Sequence, residues 1–237
     1  MESANLNNAT QGRPKLNSRP CDGPSHFREM TEDSRATYQK RTVREGYDRL
    51  AEEYDAQRSD DPDFLDDFRE RVPEGGRILD AGCGAGRPVA ETLAEDYDLV
   101  GLDISREQVR LASERVPDES FVQGDMAALP LADESVDAVA AYHSVIHVPS
   151  TEHPAVAREF ARVLRPNGVL LMTVGAGEWV GTNDDWLDTG VEMRWSVPGP
   201  EDGASMLADA GFEVLWRRVV DDEMGEKTGF VLARKRG

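Results

Sequence analysis

Ile78-Leu-Asp-Ala-Gly-Cys-Gly-Ala-Gly86 decides how this chain folds. The run starts apolar and reaches an acid, glycines then recur at 82, 84 and 86, and Pro88 opens the segment that follows. This predicts a buried strand, a sharp turn and a helix, because glycine tolerates the backbone angles and close approach that such a turn needs, and proline suits a helix's first turn. In a doubly wound sheet that turn lies at the carboxyl edge, where ligands bind. The spacing is Gly-x-Gly-x-Gly, not the dinucleotide Gly-x-Gly-x-x-Gly, and Asp80 precedes the loop. A carboxylate there repels a pyrophosphate and suits a ligand with an ammonium or sulfonium charge. Taken alone, the loop is also readable as a glycine turn with no ligand.

Outward from this run, strands and helices alternate. Strands are expected at Arg77–Ala81, Leu99–Asp103, Ser120–Gln123, Val136–Tyr142, Gly168–Val174, Phe212–Val220 and Thr228–Arg234. Helices are expected at Pro88–Glu95, Arg106–Arg115, Glu152–Leu164 and Glu201–Ala210, with Ser105 and Gln108 as a capping-box pattern. Each parallel neighbour requires a crossover, so the fold class is α/β, a doubly wound, seven-stranded, mostly parallel sheet. Asp221–Lys227 is too short for a helical crossover and makes the final pair an antiparallel hairpin. Upstream, Val43, Tyr47, Leu50, Ala51 and Tyr54 share one face of a helix over Arg35–Arg58, and a second helix covers Phe64–Val72. Residues 1–30 read as a disordered tail by composition. The expected organisation of 31–237 is a single domain: a helical cap (31–73), a ligand-binding core (77–174), an insertion (175–200), then a C-terminal helix and hairpin (201–237).

Two further acids stand at successive strand ends. Asp103 closes Val100-Gly-Leu-Asp103, at the distance downstream where an acid accepts both hydroxyls of a ribose. Asp125, in Gly124-Asp-Met126, is placed to accept from an adenine amino group, with Ile104 and Met126 sandwiching the ring. Each acid alone is also readable as a solvated loop residue.

The chain has 237 residues and a formal net charge of −19, from 46 acidic against 27 basic side chains. This balance lacks the basic face of a nucleic-acid binder and the basic amphipathic helix of a membrane-surface protein. No stretch approaches the ~20 apolar residues of a transmembrane helix, and no apolar signal core opens the chain, so a cytoplasmic protein is expected. Only four basic residues are lysine, and the other 23 are arginine. Acid-rich, lysine-poor surfaces stay hydrated where salt screens their self-repulsion, which suggests a halophilic composition. Cys21 and Cys83 are too few for a disulfide framework, and no metal-ligand spacing occurs.

Five motifs in order resemble class I S-adenosylmethionine-dependent methyltransferases over about residues 40–235. They are Ile78–Gly86, Gly101-Leu-Asp-Ile-Ser105, Gly124-Asp-Met126 with Leu129-Pro130, Ser135-Val-Asp137, and Leu164-Arg-Pro-Asn-Gly168. The stretch Tyr142-His-Ser-Val-Ile-His147-Val-Pro149, with Met193-Arg-Trp-Ser196 before Ala210-Gly-Phe212, is similar to the small-molecule branch of that family. Asn167 departs from the family's Pro-Gly-Gly but tolerates the left-handed turn. The resemblance implies a Rossmann-like methyltransferase fold and S-adenosyl-L-methionine as cofactor. It implies cofactor contacts from Asp80, Ala81, Gly82, Gly84, Asp103, Ile104, Asp125, Met126, Tyr142 and His143. The helix over Arg35–Arg58 would lid the cofactor with Tyr47 or Tyr54, which as core aromatics need no ligand.

The expected activity is methyl transfer to a small-molecule acceptor. A nucleic-acid or protein methyltransferase of this fold and a non-catalytic cofactor-binding regulatory module are the alternatives. Nucleic-acid amino-group enzymes carry an acid-or-Asn/Pro/Pro/aromatic motif where this chain has Ala141-Tyr-His-Ser144. No nucleic-acid or membrane partner is expected. If the acceptor must lose a proton, His147 and His143, at or just past the fourth strand's end, are the candidate bases, against packing or loop-anchoring roles. Trp179, Trp186, Met193 and Trp195 would wall an apolar acceptor site or serve as ordinary core. Glu152 and His153 read as a surface pair.

Overall fold

A computed structural model of the protein describes residues 19–20, 30–57, 64–221 and 227–237, with Arg19, Pro20 and Asp221 described by backbone alone. The strands are β1 (Arg19–Pro20), β2 (Arg77–Ala81), β3 (Asp98–Asp103), β4 (Ser120–Gln123), β5 (Val136–Ala141), β6 (Leu164–Gly175), β7 (Trp179–Trp186), β8 (Val191–Val197), β9 (Phe212–Asp221) and β10 (Lys227–Lys235). The helices are α1 (Glu32–Gln57), α2 (Leu65–Arg69), α3 (Val89–Leu93), α4 (Arg106–Arg115), α5 (His153–Val163) and α6 (Pro200–Asp209). Seven strands form one sheet in the order β4-β3-β2-β5-β6-β10-β9. The first five run parallel, and β10 runs antiparallel to both β6 and β9. The sheet is therefore the α/β, doubly wound architecture expected from the sequence, closing hairpin included.

From β2 the chain winds outward to β4 and then returns to β5 on β2's other side, so a crevice opens at the carboxyl ends of these strands. The sheet is buried on both faces. Leu79 and Ala81 of β2 pack in one cluster with Val156, Phe160 and Val163 of α5 and Leu207 of α6. Ile78 packs in another with Leu65 and Phe68 of α2 and Val89 and Leu93 of α3. Apolar residues spaced three and four apart put the α5 set on one helical face. Each such side chain contributes about 1.5–3 kcal/mol when fully buried.

A third cluster sits over the carboxyl edge, where Val43 of α1 meets Met193 and Trp195 of β8. Gly46 permits this contact, since a Cβ there would lie 2.9 Å from the Met193 terminal methyl. The far end of α1 is tied down by Asp55, which accepts from Arg87 Nε at 2.8 Å and Arg115 Nη2 at 2.6 Å. Burial alone would raise the Asp55 carboxyl, but those two guanidinium groups outweigh it and hold the carboxyl below its ordinary range.

The expected insertion at 175–200 contains an antiparallel hairpin, β7–β8, that sequence reading did not resolve. Asn183, Asp184 and Asp185 make β7 read as loop, while a tight turn with positive φ at Leu187, Asp188 and Gly190 joins the strands. Asp188-Thr-Gly190 was the available turn signal. The helices expected over Phe64–Val72 and Pro88–Glu95 are shorter, at α2 and α3. The tail assigned to 1–30 lies almost wholly outside the described residues, as does Arg58. Among the described part of that tail, the Arg19–Pro20 backbone pairs with β7. Among the described residues, no helix is long and apolar enough to cross a membrane.

Candidate active site

Beneath α1, the carboxyl edge of the sheet opens into a cavity of about 650 Å³, its open mouth included. Gly82, Gly84, Asp103, Ile104, Asp125, Met126, His143 and His147 line it, so most of the site expected from the sequence converges here. The glycine turn is held by its own backbone, with the Gly82 and Cys83 N–H groups donating to the Leu102 carbonyl at 2.7 and 3.0 Å. Gly82 has φ +83°, and a Cβ there would come within 2.2 Å of the Ser144 Cβ. No larger side chain fits. Ser144, which sequence reading did not single out, donates to the Ala81 carbonyl at 2.6 Å and clamps the loop to the chain after β5.

Asp103 organises the site before any ligand arrives. Its Oδ2 accepts from the Gly84 N–H at 2.9 Å and its Oδ1 from the Ser105 N–H at 2.8 Å. Each carboxylate oxygen has a second lone-pair direction, so backbone anchoring and ligand binding are compatible. Because Asp103 takes the Ser105 N–H, the capping box at α4 is only half made. Ser105 Oγ accepts from the Gln108 N–H at 3.2 Å, but the Gln108 amide does not reach back. Gln108 is instead 1% exposed and lines the cavity, and neither of its amide atoms has a hydrogen-bond partner among the described residues. A buried, unpartnered amide costs about 1–3 kcal/mol, a cost that a hydroxyl-bearing ligand would offset.

At the other end, Asp125 accepts from the Ala127 N–H at 2.9 Å and pairs with Lys40 of α1 at 2.9 Å. Lys40 also pairs with Glu152 at 2.8 Å. Burial works to lower the Lys40 ammonium, but Glu152 and Asp125 outweigh it and hold it above its ordinary range. Lys40 thus joins the cap to the cavity's acidic rim, a tie between residues too far apart in sequence to be read there. Ile104 and Met126 both lie in the cavity wall. Cys83 is buried, and burial, with Asp103 and Asp80 adding, pushes its thiol well above the usual range, so it stays protonated and inert.

Three expected cofactor contacts do not line the cavity. Tyr142 is 4% exposed and packs on Phe230 at a ring separation of 5.3 Å, in the cluster that holds α2 and α3. The alternation of strand side chains carries it to that face. Asp80 and Ala81 are buried at the end of β2, Ala81 in the opposite cluster. Glu152 and His153 are not a surface pair: His153 is 6% exposed and its Nε2 donates to the Val148 carbonyl at 2.9 Å. Burial holds the His153 imidazole below its ordinary range.

His143 has φ +53°, its N–H donates to Thr173 Oγ1 at 2.9 Å, and it lines both this cavity and a second, open recess of about 1040 Å³. Trp179 and Trp195 line that recess with Ile146 and Val197, whereas Trp186 packs on Tyr47 and Tyr54, and Met193 is core beneath α1. His147 and Tyr47 line the first cavity, with Tyr47 Oη 2.8 Å from His147 Nε2. Of the two readings of Tyr47 and Tyr54, the structure brings both to the cavity wall. Among the described residues, no group of three or more His, Cys, Asp or Glu is placed to hold a metal.

Residues 79–172, which run from β2 through most of β6, match the family described as "Methyltransferase domain". This stretch of the chain is a methyltransferase domain. The chain is 34% identical over 165 residues to a sterol 24-C-methyltransferase, ERG6B, of Gibberella zeae, covering 61% of this chain and 41% of that protein. It is 33% identical over 121 residues to dTDP-3-amino-3,4,6-trideoxy-alpha-D-glucopyranose N,N-dimethyltransferase of Streptomyces venezuelae, covering 51% of this chain and 50% of that one. The chain thus spans half or less of the length of these relatives. The crystal structure of Burkholderia thailandensis 1,6-didemethyltoxoflavin-N1-methyltransferase, with bound 1,6-didemethyltoxoflavin and S-adenosylhomocysteine, superposes with a TM-score of 0.72 at 17% identity, covering 93% of this chain and 95% of that one. That likeness shows that the two chains share a fold over most of their lengths.

Proposed function

We propose that this protein binds S-adenosylmethionine in the cavity under α1 and transfers its methyl group to a small-molecule acceptor. The observation that carries the reading is the pairing of Asp103 with the unpartnered, 1% exposed amide of Gln108 on one cavity wall beside the glycine turn. A carboxylate that accepts and an amide that both donates and accepts suit the vicinal hydroxyls of a ribose. The backbone turn at Gly82 and Gly84 would face the amino-acid part of the cofactor, and Ile104 and Met126 would enclose the base beside Asp125. When bound, S-adenosylmethionine supplies a methyl group made electrophilic by its sulfonium charge. The protein's part is to align an acceptor with that methyl and keep water out.

The relatives named above include enzymes named for a sterol and for an amino sugar nucleotide. For this chain the recess beyond His143 supports an acceptor with an apolar, partly flat surface, received against the wall that Trp179 and Trp195 form. The net charge of −19 and the scarcity of lysine support a saline cytoplasm as the working medium. Thermal melts in low and in molar potassium chloride test that part, with a rise in melting temperature expected and no change or a fall refuting it. The activity itself is tested by incubating the protein with S-adenosylmethionine labelled in the methyl group and a metabolite extract. Label recovered in a small molecule is expected, and label in nucleic acid, in protein or nowhere would refute the reading.

A further inference from the structure

Resting on the methyltransferase reading above, we propose that Tyr47 takes a proton from the acceptor and passes its own to His147. The acceptor is then a molecule whose reacting oxygen or nitrogen carries a removable hydrogen. His147 Nδ1 lies 3.0 Å from the Arg194 carbonyl oxygen. A carbonyl only accepts, so Nδ1 bears the hydrogen, and in the neutral ring Nε2 keeps its lone pair. That lone pair accepts from the Tyr47 hydroxyl at 2.8 Å. The basic nitrogen is thus covered by Tyr47, and the atom that a proton from the cavity meets first is the phenolic oxygen.

The pair is held from both sides of the cavity. Gln39 Nε2 of α1 donates to the His147 carbonyl at 3.0 Å, and the imidazole meets the Tyr47 ring edge-on at 5.3 Å and Trp195 of β8 at 5.6 Å. Both Tyr47 and His147 face the cavity that holds the glycine turn and Asp103. In the step, the acceptor's heteroatom bonds to the methyl carbon, the carbon–sulfur bond breaks and sulfur keeps its electron pair. The heteroatom's hydrogen moves to Tyr47 Oη as the tyrosine's hydrogen moves to His147 Nε2, and the imidazolium later loses that proton to water. An acceptor without such a hydrogen, a tertiary amine or a thioether, would have no use for this route. Tyr47 is therefore the catalytic residue and His147 the group acting through it.

Two measurements on the full chain test the proposal, the first needing no acceptor. With four histidines in the sequence, nitrogen-15 NMR can assign His147 by difference from His147→Gln. The expected spectrum has a protonated Nδ1 and a hydrogen-bonded, unprotonated Nε2, and in Tyr47→Phe the Nε2 resonance moves to that of a nitrogen without a hydrogen bond. A proton on Nε2 in the wild type, or no change in Tyr47→Phe, would overturn the proposal. In labelled-methyl transfer to a metabolite extract, Tyr47→Phe is expected to lower the rate by about 10²–10³ while calorimetric affinity for S-adenosylhomocysteine is unchanged. Equal transfer by wild type and Tyr47→Phe would overturn the proton route alone. No transfer by the wild type would overturn the underlying activity and the route with it.

Discussion

Replacing Gln108 by methionine should stabilise the protein alone and weaken its complex with a nucleoside ligand. Gln108 is 1% exposed and its amide is unpartnered among the described residues, because Asp103 has taken the backbone N–H that a capping box would offer it. An unsatisfied buried polar group costs about 1–3 kcal/mol, and methionine keeps the length of the side chain without that cost. A gain of about 1–2 kcal/mol in the ligand-free protein corresponds to a melting temperature higher by about 2–8 °C for a chain of this size. In the complex the sign reverses. The ligand's hydroxyl loses its partner, and affinity for S-adenosylhomocysteine should fall by about 1–3 kcal/mol, or about 5- to 150-fold in Kd. Differential scanning calorimetry without ligand and titration calorimetry with it read the two effects separately. A Gln108→Met variant that melts lower and binds as tightly as wild type would refute the reasoning, since the amide would then be satisfied within the protein.

Asp103→Ala should weaken S-adenosylhomocysteine binding by about 2–4 kcal/mol in titration calorimetry, since it unpairs ligand hydroxyls and frees the Gly84 and Ser105 N–H groups as well. Unchanged affinity in a folded variant would return Asp103 to a structural role. Asp55→Ala leaves the half-buried Arg87 and Arg115 without their shared carboxylate and should lower unfolding stability by about 2–3 kcal/mol, seen as a lower urea midpoint with an unchanged slope. A shift near zero would show that α1 is held without that tie. His153, whose imidazole burial holds below its usual value, stays neutral in the fold where the unfolded chain takes up a proton. Stability should therefore fall as pH drops below the ordinary imidazole range of ~6.5, and His153→Gln should flatten that slope in urea titrations at stepped pH. An equal slope in the variant would assign the effect to other groups.

The sheet was legible because β2 and its neighbours are short apolar runs and the turn after β2 is written in glycine, a residue whose backbone freedom is a local property. The acids Asp103 and Asp125 were legible for the same reason, as strand ends can be counted along the chain. What local pattern could not supply were the pairings across it. Gln108 read as a helix cap because nothing nearby in sequence says that Asp103 competes for the Ser105 N–H. Tyr47 was left between core and cavity because its surroundings depend on β7–β8, whose Asn183, Asp184 and Asp185 hide a strand. Tyr142, expected at the site, stands in the core cluster with Phe230, a placement set by packing across the sheet that its own stretch of sequence does not show. Lys40 had no local signal at all, since its partners lie 85 and 112 positions away in the chain.

The central claim is that the cavity beneath α1 binds S-adenosylmethionine, and titration calorimetry with S-adenosylhomocysteine, in salt at which the protein is folded, tests it most directly. The expected result is one binding event per chain, absent with NAD and strongly weakened in Asp103→Ala. No heat with S-adenosylhomocysteine, or tighter binding of NAD, would contradict it.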